Sequence, residues 1–406
     1  MIDFFEIFNF LFRSIHVVAG IAWVGASFYF VMLDASLRPP RGKKDQDDGV
    51  FGEIWAVHGG GIYTSKKYLK EPKSQRLPDE LHWSKWEAYT TWLSGMSLLA
   101  LIYWSRAQVY LIDNSVMALS TADAIILSIV FISGFWLIYH FACKALNKVD
   151  ERVFAFILFC LISLMAWGLD SVFSGRGAFM MFGACLGTTM AANVFFVIIP
   201  GQKKMLKAIT SGRELDPQVG ATGKQRSVHN TYFTLPVLFC MLVNHYAAFY
   251  SVDYGWLVLL SMSLSGVFIR LFFVSRHKQT KPNYLIGVLG LVILALTIAF
   301  VFSPKPVEQP TSVNPQEVGQ NLISIGDVKK IIDDRCLACH SSTPTFAGFV
   351  SPPKGIVYDS QSDVINQAEM IYQQAVVLQA MPIGNLTGLT DSEREMLGSW
   401  FKQLKQ

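Results

Sequence analysis

Eight stretches of the chain are apolar over lengths near the roughly 20 residues that a helix needs to span the hydrocarbon core of a bilayer. They fall at Phe8–Leu33, Ala88–Trp104, Ala122–Cys143, Val153–Leu169, Ala178–Ile199, Thr231–Tyr250, Gly255–Val274 and Tyr284–Phe302. In lipid a backbone must satisfy its own hydrogen bonds, so runs of this kind are helices. The expected fold class is therefore all-α, a polytopic eight-helix membrane bundle over residues 1–303 followed by a small all-α domain. Composition agrees, because 52% hydrophobic and 16% charged residues with a mean hydropathy of +0.36 exclude an ordinary soluble protein. A net charge of +4 is too small to argue for nucleic acid, so the partner implied at this level is the lipid bilayer. Asp3 and Glu6 stand where a cleavable signal would be basic, so the first run is expected to remain as a membrane helix.

Basic residues set an expected orientation. The first loop carries Arg38, Arg41, Lys43, Lys44, Lys66, Lys67, Lys70, Lys73, Arg76 and Lys85, and the third, fifth and seventh connections are also basic. The even connections are nearly bare. Odd loops then face the cytoplasm and both termini lie outside. Cys143, Cys160, Cys185 and Cys240 sit in apolar runs and read as small hydrophobes, not as a disulfide framework.

Cys336-Leu337-Ala338-Cys339-His340 has the spacing of a c-type haem attachment site. Two thiols on one helical turn can form thioethers with the haem vinyl groups, and the adjacent His340 can ligate the iron. Met381, followed by Pro382, is the expected second axial ligand. Met370 competes, but its run of Val364, Ile365, Met370, Ile371 and Val376 reads as helix core. Upstream, Ile325, Val328, Ile331 and Ile332 mark one helix face. Downstream, Thr390 and Glu393 match a capping box that opens a helix bearing Met396, Leu397, Trp400 and Leu404. Residues 318–406 thus resemble a class I cytochrome c domain, and the proline-rich stretch 304–317 reads as a semi-extended linker.

Ionisable residues at membrane depth are functional candidates. His16 in the first run and His245 in the sixth could together hold a b-type haem iron; the alternative is a histidine bonded to a backbone carbonyl. His140, His229 and His277 fall near the inner face. Arg270 in the seventh run either snorkels to the surface or binds an anion. Asn193 reads as an interhelical hydrogen bonder. Gly183, Gly187 and Ala191 form a ridge that permits close helix packing.

The first loop joins His58-Gly59-Gly60-Gly61-Ile62-Tyr63 to His82-Trp83-Ser84-Lys85-Trp86-Glu87-Ala88-Tyr89. Trp83 and Trp86 suit an interfacial aromatic belt. They equally suit the stacking of a planar heterocycle, with Lys85, His58 or Glu87 handling charge and protons.

These two loop runs, with Cys336 to His340 and Met381 in a domain fused to eight membrane helices, resemble the bacterial membrane-integral cytochrome c urate oxidases. The resemblance implies hydroxylation of urate to 5-hydroxyisourate with water as the oxygen source. Electrons then pass to the chain's own haem c and on to a downstream cytochrome c or terminal oxidase, without release of hydrogen peroxide. It also implies the inner membrane of a bacterium. Urate is a planar anion that can stack on Trp83 or Trp86 and pair with Lys85 or Arg270, with His58, His82 or Glu87 as the general base. An oligomer is compatible with all of this. Two other readings stay open: a membrane dehydrogenase for quinol or another reductant, and a helical anchor for an electron carrier.

Overall fold

The computed structural model describes residues 4–213, 216–278, 283–303, 323–346 and 352–405. Among these, eight helices form the bundle: α1 (Phe4–Ser36), α2 (Trp86–Leu98), α3 (Thr121–Ala145), α4 (Glu151–Asp170), α5 (Gly175–Ala192), α6 (Pro217–Val243), α7 (Gly255–Lys278) and α8 (Tyr284–Val301). Helix α2 runs on as a π-helical turn, Leu99–Trp104. Helix α5 runs on through another, Asn193–Ile198, into Ile199–Thr210. Six of these helices are long and apolar enough to cross a membrane. The two that are not have local causes. The α2 segment is broken by its π turn, and the first half of α6 is polar, with Gln218, Lys224, Gln225, Arg226, His229 and Asn230.

That polarity displaces the sixth expected span. A helix expected over Thr231–Tyr250 instead begins at Pro217 behind an Asp216 cap, ends at Val243, and gives way to a turn and the short helix Ala247–Tyr250. Within its polar half Arg226 and Asn230 are buried against other helices while Gln218 and Lys224 stay exposed, so hydropathy alone could not find it. The central element is α5, which packs on α3, α4 and α6 and is the most buried of the spans. A Cβ on Gly183 would sit 2.7 Å from Cys240 Cβ, so α5 and α6 meet where the small-residue ridge begins. Gly187 has open space beside it, and the ridge does not continue as a contact.

One face of the bundle carries the start of α1, the α2–α3 connection and the end of α8. The opposite face carries the basic loops and an antiparallel hairpin, β1 (Val50–His58) and β2 (Gly61–Tyr68). Its two-residue turn places Gly59 at φ +56° and Gly60 at φ +80°, the pair of positive values that a type I′ turn requires.

The C-terminal unit has its own core of Val328, Ile332, Val364, Leu389, Leu397 and Trp400. Helix α9 (Ile325–Arg335) runs into the single turn α10 (Leu337–His340); α11 (Gln361–Asn366) and α12 (Asp391–Leu404) follow. Capping boxes at Ser324/Asp327, Ser360/Asp363 and Thr390/Glu393 start three of these helices. Met396 and Leu404, expected on the buried side of α12, stay exposed, while Phe401 is buried. The expected linker 304–317 lies outside the described residues. The unit rests on the first face: a Cβ on Gly384 would be 2.8 Å from the Ile112 carbonyl oxygen, and Leu378 packs against the bundle core.

The α5–α6 contact gives a direct test. Gly183→Ala should destabilise the protein by roughly 1–3 kcal/mol through overpacking. Adding Cys240→Gly should restore much of the loss. Thermal unfolding in detergent measures both, and an unchanged midpoint for Gly183→Ala would rule the contact out.

Candidate functional site

The loop residues do not converge. His58 ends β1 at the exposed tip of the hairpin, and His82 is exposed on the approach to α2. Among the described residues, no hydrogen bond, ion pair or ring contact joins His58 to His82, Lys85 or Glu87. Trp86 is exposed, with Lys85 Nζ 5.6 Å from its ring centre and Tyr89 edge-on to it, as in an interfacial belt. Glu87 is half-buried, and its backbone carbonyl accepts from Thr91 Oγ1. Trp83 turns inward, packing with Tyr89 near Ala88, Val194 and Ile199.

His16 and His245 are likewise apart in depth. His16 lies about 18 Å along α1 from Phe4, at roughly 1.5 Å per residue. Its Nδ1 is 2.9 Å from the Thr91 carbonyl and 3.1 Å from Ser94 Oγ, and its ring packs where Gly95 lacks a side chain. His245 is exposed in the turn beyond α6, not in the outer half of that helix. The pair therefore does not fit the two axial positions of one b-type haem. Arg270 does not snorkel: it is 8% exposed, stacks 3.7 Å above the Phe28 ring centre, and leaves Nε and Nη2 without partners.

Sequence reading missed a polar ring built around Tyr139. Tyr139 on α3 is fully buried, and its hydroxyl lies 2.7 Å from His229 Nδ1 on α6. It accepts from Asn193 Nδ2 at 3.1 Å; Asn193 opens the π turn of α5 and also donates to Asn230 Oδ1 at 2.9 Å. Asn230 in turn donates to the Met190 carbonyl at 3.0 Å. Arg226, 2% exposed, lies over the Tyr139 ring at 4.8 Å and donates through Nη2 to the His140 carbonyl at 3.2 Å. Phe154 stacks on the His229 imidazole with the planes 6° apart. Asn193 thus is the interhelical bonder expected of it.

The ring is not saturated. Of eight buried side-chain polar atoms without a partner among the described residues, three are on its own members, Asn193 Oδ1, Arg226 Nε and Arg226 Nη1, and two more, Trp136 Nε1 and His140 Nδ1, are on α3 residues whose rings pack on each other. Each such atom costs about 1–3 kcal/mol. The available signal was two residues of α6, Arg226 and His229, three apart and so on one helix face.

The second site is a largely apolar, partly open cavity in the C-terminal unit, lined by Cys336, Cys339, His340 and Met381. His340 Nδ1 lies 3.0 Å from the Ile356 carbonyl; donating there leaves Nε2 as a free lone pair, the usual posture of a ligating histidine. Burial lowers the His340 pKa against that hydrogen bond, and burial with the neighbouring Cys339 pushes the Cys336 thiol up to about 12. The donor set of two free thiols, a neutral imidazole and a thioether on apolar walls suits a covalently attached haem. Met370 also lines the cavity and is 44% exposed, so it is not the helix-core residue its run suggested. Val109, from the bundle, forms part of the same wall.

A family model described as urate oxidase N-terminal matches residues 3–302. No curated protein and no solved structure matches the chain.

Arg335, on the cavity wall, is braced by Glu393 at 3.1 Å and by the Thr387 carbonyl at 2.8 Å. Burial raises the Glu393 pKa, but hydrogen bonds from the Thr390 backbone and hydroxyl and from Arg335 outweigh it, so the carboxyl titrates below the ordinary glutamate range. A carboxyl with a depressed folded pKa stabilises above its unfolded pKa, and that contribution fades as pH falls through the folded value. Glu393→Gln should therefore cost on the order of 1 kcal/mol near neutral pH. The difference from the parent protein should vanish in acid, as followed by denaturant unfolding of the full chain at several pH values.

Proposed function

Because the chain belongs to the urate oxidase N-terminal family, we propose that it is a membrane oxidoreductase that hydroxylates urate within the helical bundle and delivers the electrons to a haem c in its C-terminal unit. Urate monoanion and water give neutral 5-hydroxyisourate, two electrons and one proton. A haem c held by Cys336, Cys339, His340 and Met381 would supply one-electron chemistry, so the two electrons of each urate would have to leave in two steps for a downstream cytochrome c or terminal oxidase. No step requires oxygen at the urate, and hydrogen peroxide is not a product.

One observation carries the reading: the cavity holding the thiols, His340 and Met381 takes Val109 of the bundle as a wall residue. A haem seated there would touch the family-matched part of the chain directly, with the Gly384–Ile112 backbone approach fixing the two together. Cys336 and Cys339 would form the thioethers, and His340 and Met381 would ligate the iron. The apolar walls would keep water from the iron, and His340 would be held in one tautomer by Ile356. On this reading the hairpin face is cytoplasmic and both termini are periplasmic, in a bacterial inner membrane. The support is the concentration of lysine and arginine on the hairpin face and the attachment of c-type haem outside the cytoplasm.

The full chain, purified in detergent and oxidised, is mixed anaerobically with urate. Its haem spectrum should become that of a reduced c-type centre with urate and remain oxidised with quinol. Cys336→Ser/Cys339→Ser should carry no covalent haem and show no reduction. Reduction by quinol but not urate would make the protein a quinol dehydrogenase instead.

A further inference from the structure

The polar ring around Tyr139 has the composition of a binding site for a planar anion. Arg226 is a cation 2% exposed inside a membrane bundle, where an uncompensated charge is costly. Among the described residues, every ion pair lies outside the bundle helices' interior, at Asp34–Lys67, Asp45–Lys66, Lys329–Asp333, Arg335–Glu393 and Glu369–Lys405. Among the described residues no carboxylate pairs with Arg226, and its hydrogen bond to the His140 carbonyl uses one of five donor protons. Its Nε and Nη1 are without partners, as are Asn193 Oδ1 on α5 and, on α3, Trp136 Nε1 and His140 Nδ1, whose rings pack on each other. These are three donors and two potential acceptors on α3, α5 and α6, groups of both senses such as a flat heterocycle bearing carbonyl oxygens and ring N–H groups requires.

We propose that the anionic substrate binds against Arg226 in this ring, and that Tyr139 and His229 take up the proton its oxidation releases; this rests on the urate reading given above. Arg226 Nε and Nη1 pair with the urate anion, and Trp136, His140 and Asn193 meet its remaining edges. As the water O–H breaks and the C5–O bond forms, Tyr139 receives the water proton and passes its own to His229 Nδ1, 2.7 Å away. The two electrons leave for the haem. His229 is flanked by Phe154 and Cys143, each within a turn of its helix end on the basic face, so the proton has a short exit there.

Binding is measured by equilibrium dialysis of labelled urate against the full-length holoprotein with its haem chemically reduced, so that no turnover occurs. Arg226→Gln should weaken binding about 100-fold, as expected for losing hydrogen bonds to a charged group. Arg226→Lys should recover part of it. In anaerobic haem reduction, Tyr139→Phe should lower the maximal rate by roughly 100-fold while leaving half-saturation within about threefold, the split expected of a proton-transfer residue. If Arg226→Gln does not accumulate as folded protein, the Arg226→Lys and Tyr139→Phe results decide. Wild-type affinity in the Arg226 variants, or an unchanged rate in Tyr139→Phe, overturns the proposal and leaves urate as substrate. Failure of the wild-type chain to bind urate at all removes the urate reading and this site with it.

Discussion

Everything in the bundle is built around keeping one set of polar side chains inside apolar surroundings. A hydroxyl, an imidazole, two amides and a guanidinium meet between α3, α5 and α6, and Tyr139 touches three of the other four. In a medium without water these groups have only each other and the backbone carbonyls of Met190 and His140. The geometry of the helices follows from that need. The π turn at Asn193–Ile198 sets where Asn193 lies in the sequence of side chains facing α3 and α6, and π turns are commonly found where function requires a side chain out of helical register. The approach at Gly183 and Cys240 then brings α5 and α6 close enough for Asn193 and Asn230 to bond.

The same arrangement separates two kinds of traffic. Tyr139 is about 27 Å along α3 from Thr121, at roughly 1.5 Å per residue, so the polar ring is near the basic face. The cavity with His340 and Met381 rests on the other face, against Val109. On the proposed reading, protons leave through the near face and electrons through the far one. The distance is long for a single electron transfer, and His16 with His245 does not supply an intermediate centre, because the two lie at different depths. What lies between is aromatic: Phe131 and Phe173 edge to face at 6.0 Å, and Tyr103 and Tyr110 at 5.4 Å beneath the cavity-lining Val109.

Much of this was legible in the sequence, for reasons that also explain what was not. Hydropathy finds α1, α3, α4, α7 and α8 because their faces meet lipid, and the capping boxes and the Cys336–His340 turn are local patterns that local sequence can announce. The start of α6 hides because it is polar: Gln218 and Lys224 are exposed, and Arg226, His229 and Asn230 find partners on other helices, which no window along one segment can see. Tyr139 hides for the opposite reason: within an apolar run a tyrosine reads as one more large hydrophobe. The loop histidines and tryptophans drew attention by type alone. Two consecutive glycines make a tight hairpin of that loop, and a hairpin carries His58 away from the bundle.

Two buried arginines compete for the role of counter-ion, and their surroundings separate them. Arg270 has two free nitrogens, as Arg226 does, and each guanidinium lies over a ring face, Phe28 at 3.7 Å and Tyr139 at 4.8 Å, so stacking does not separate them. No other unpartnered polar atom lies on Phe28 or on Tyr232, the groups whose influence it feels. A planar anion there would gain one cation and no further hydrogen bonds. Arg226 offers the same cation together with an indole N–H, an amide oxygen and an imidazole nitrogen, all buried and all unused. Recognition of a purine needs its edges to be read as well as its charge, and only the ring around Tyr139 presents groups of both senses to do so. Arg270 is thus better understood as a packing cation between α1 and α7, with the substrate's charge met at Arg226.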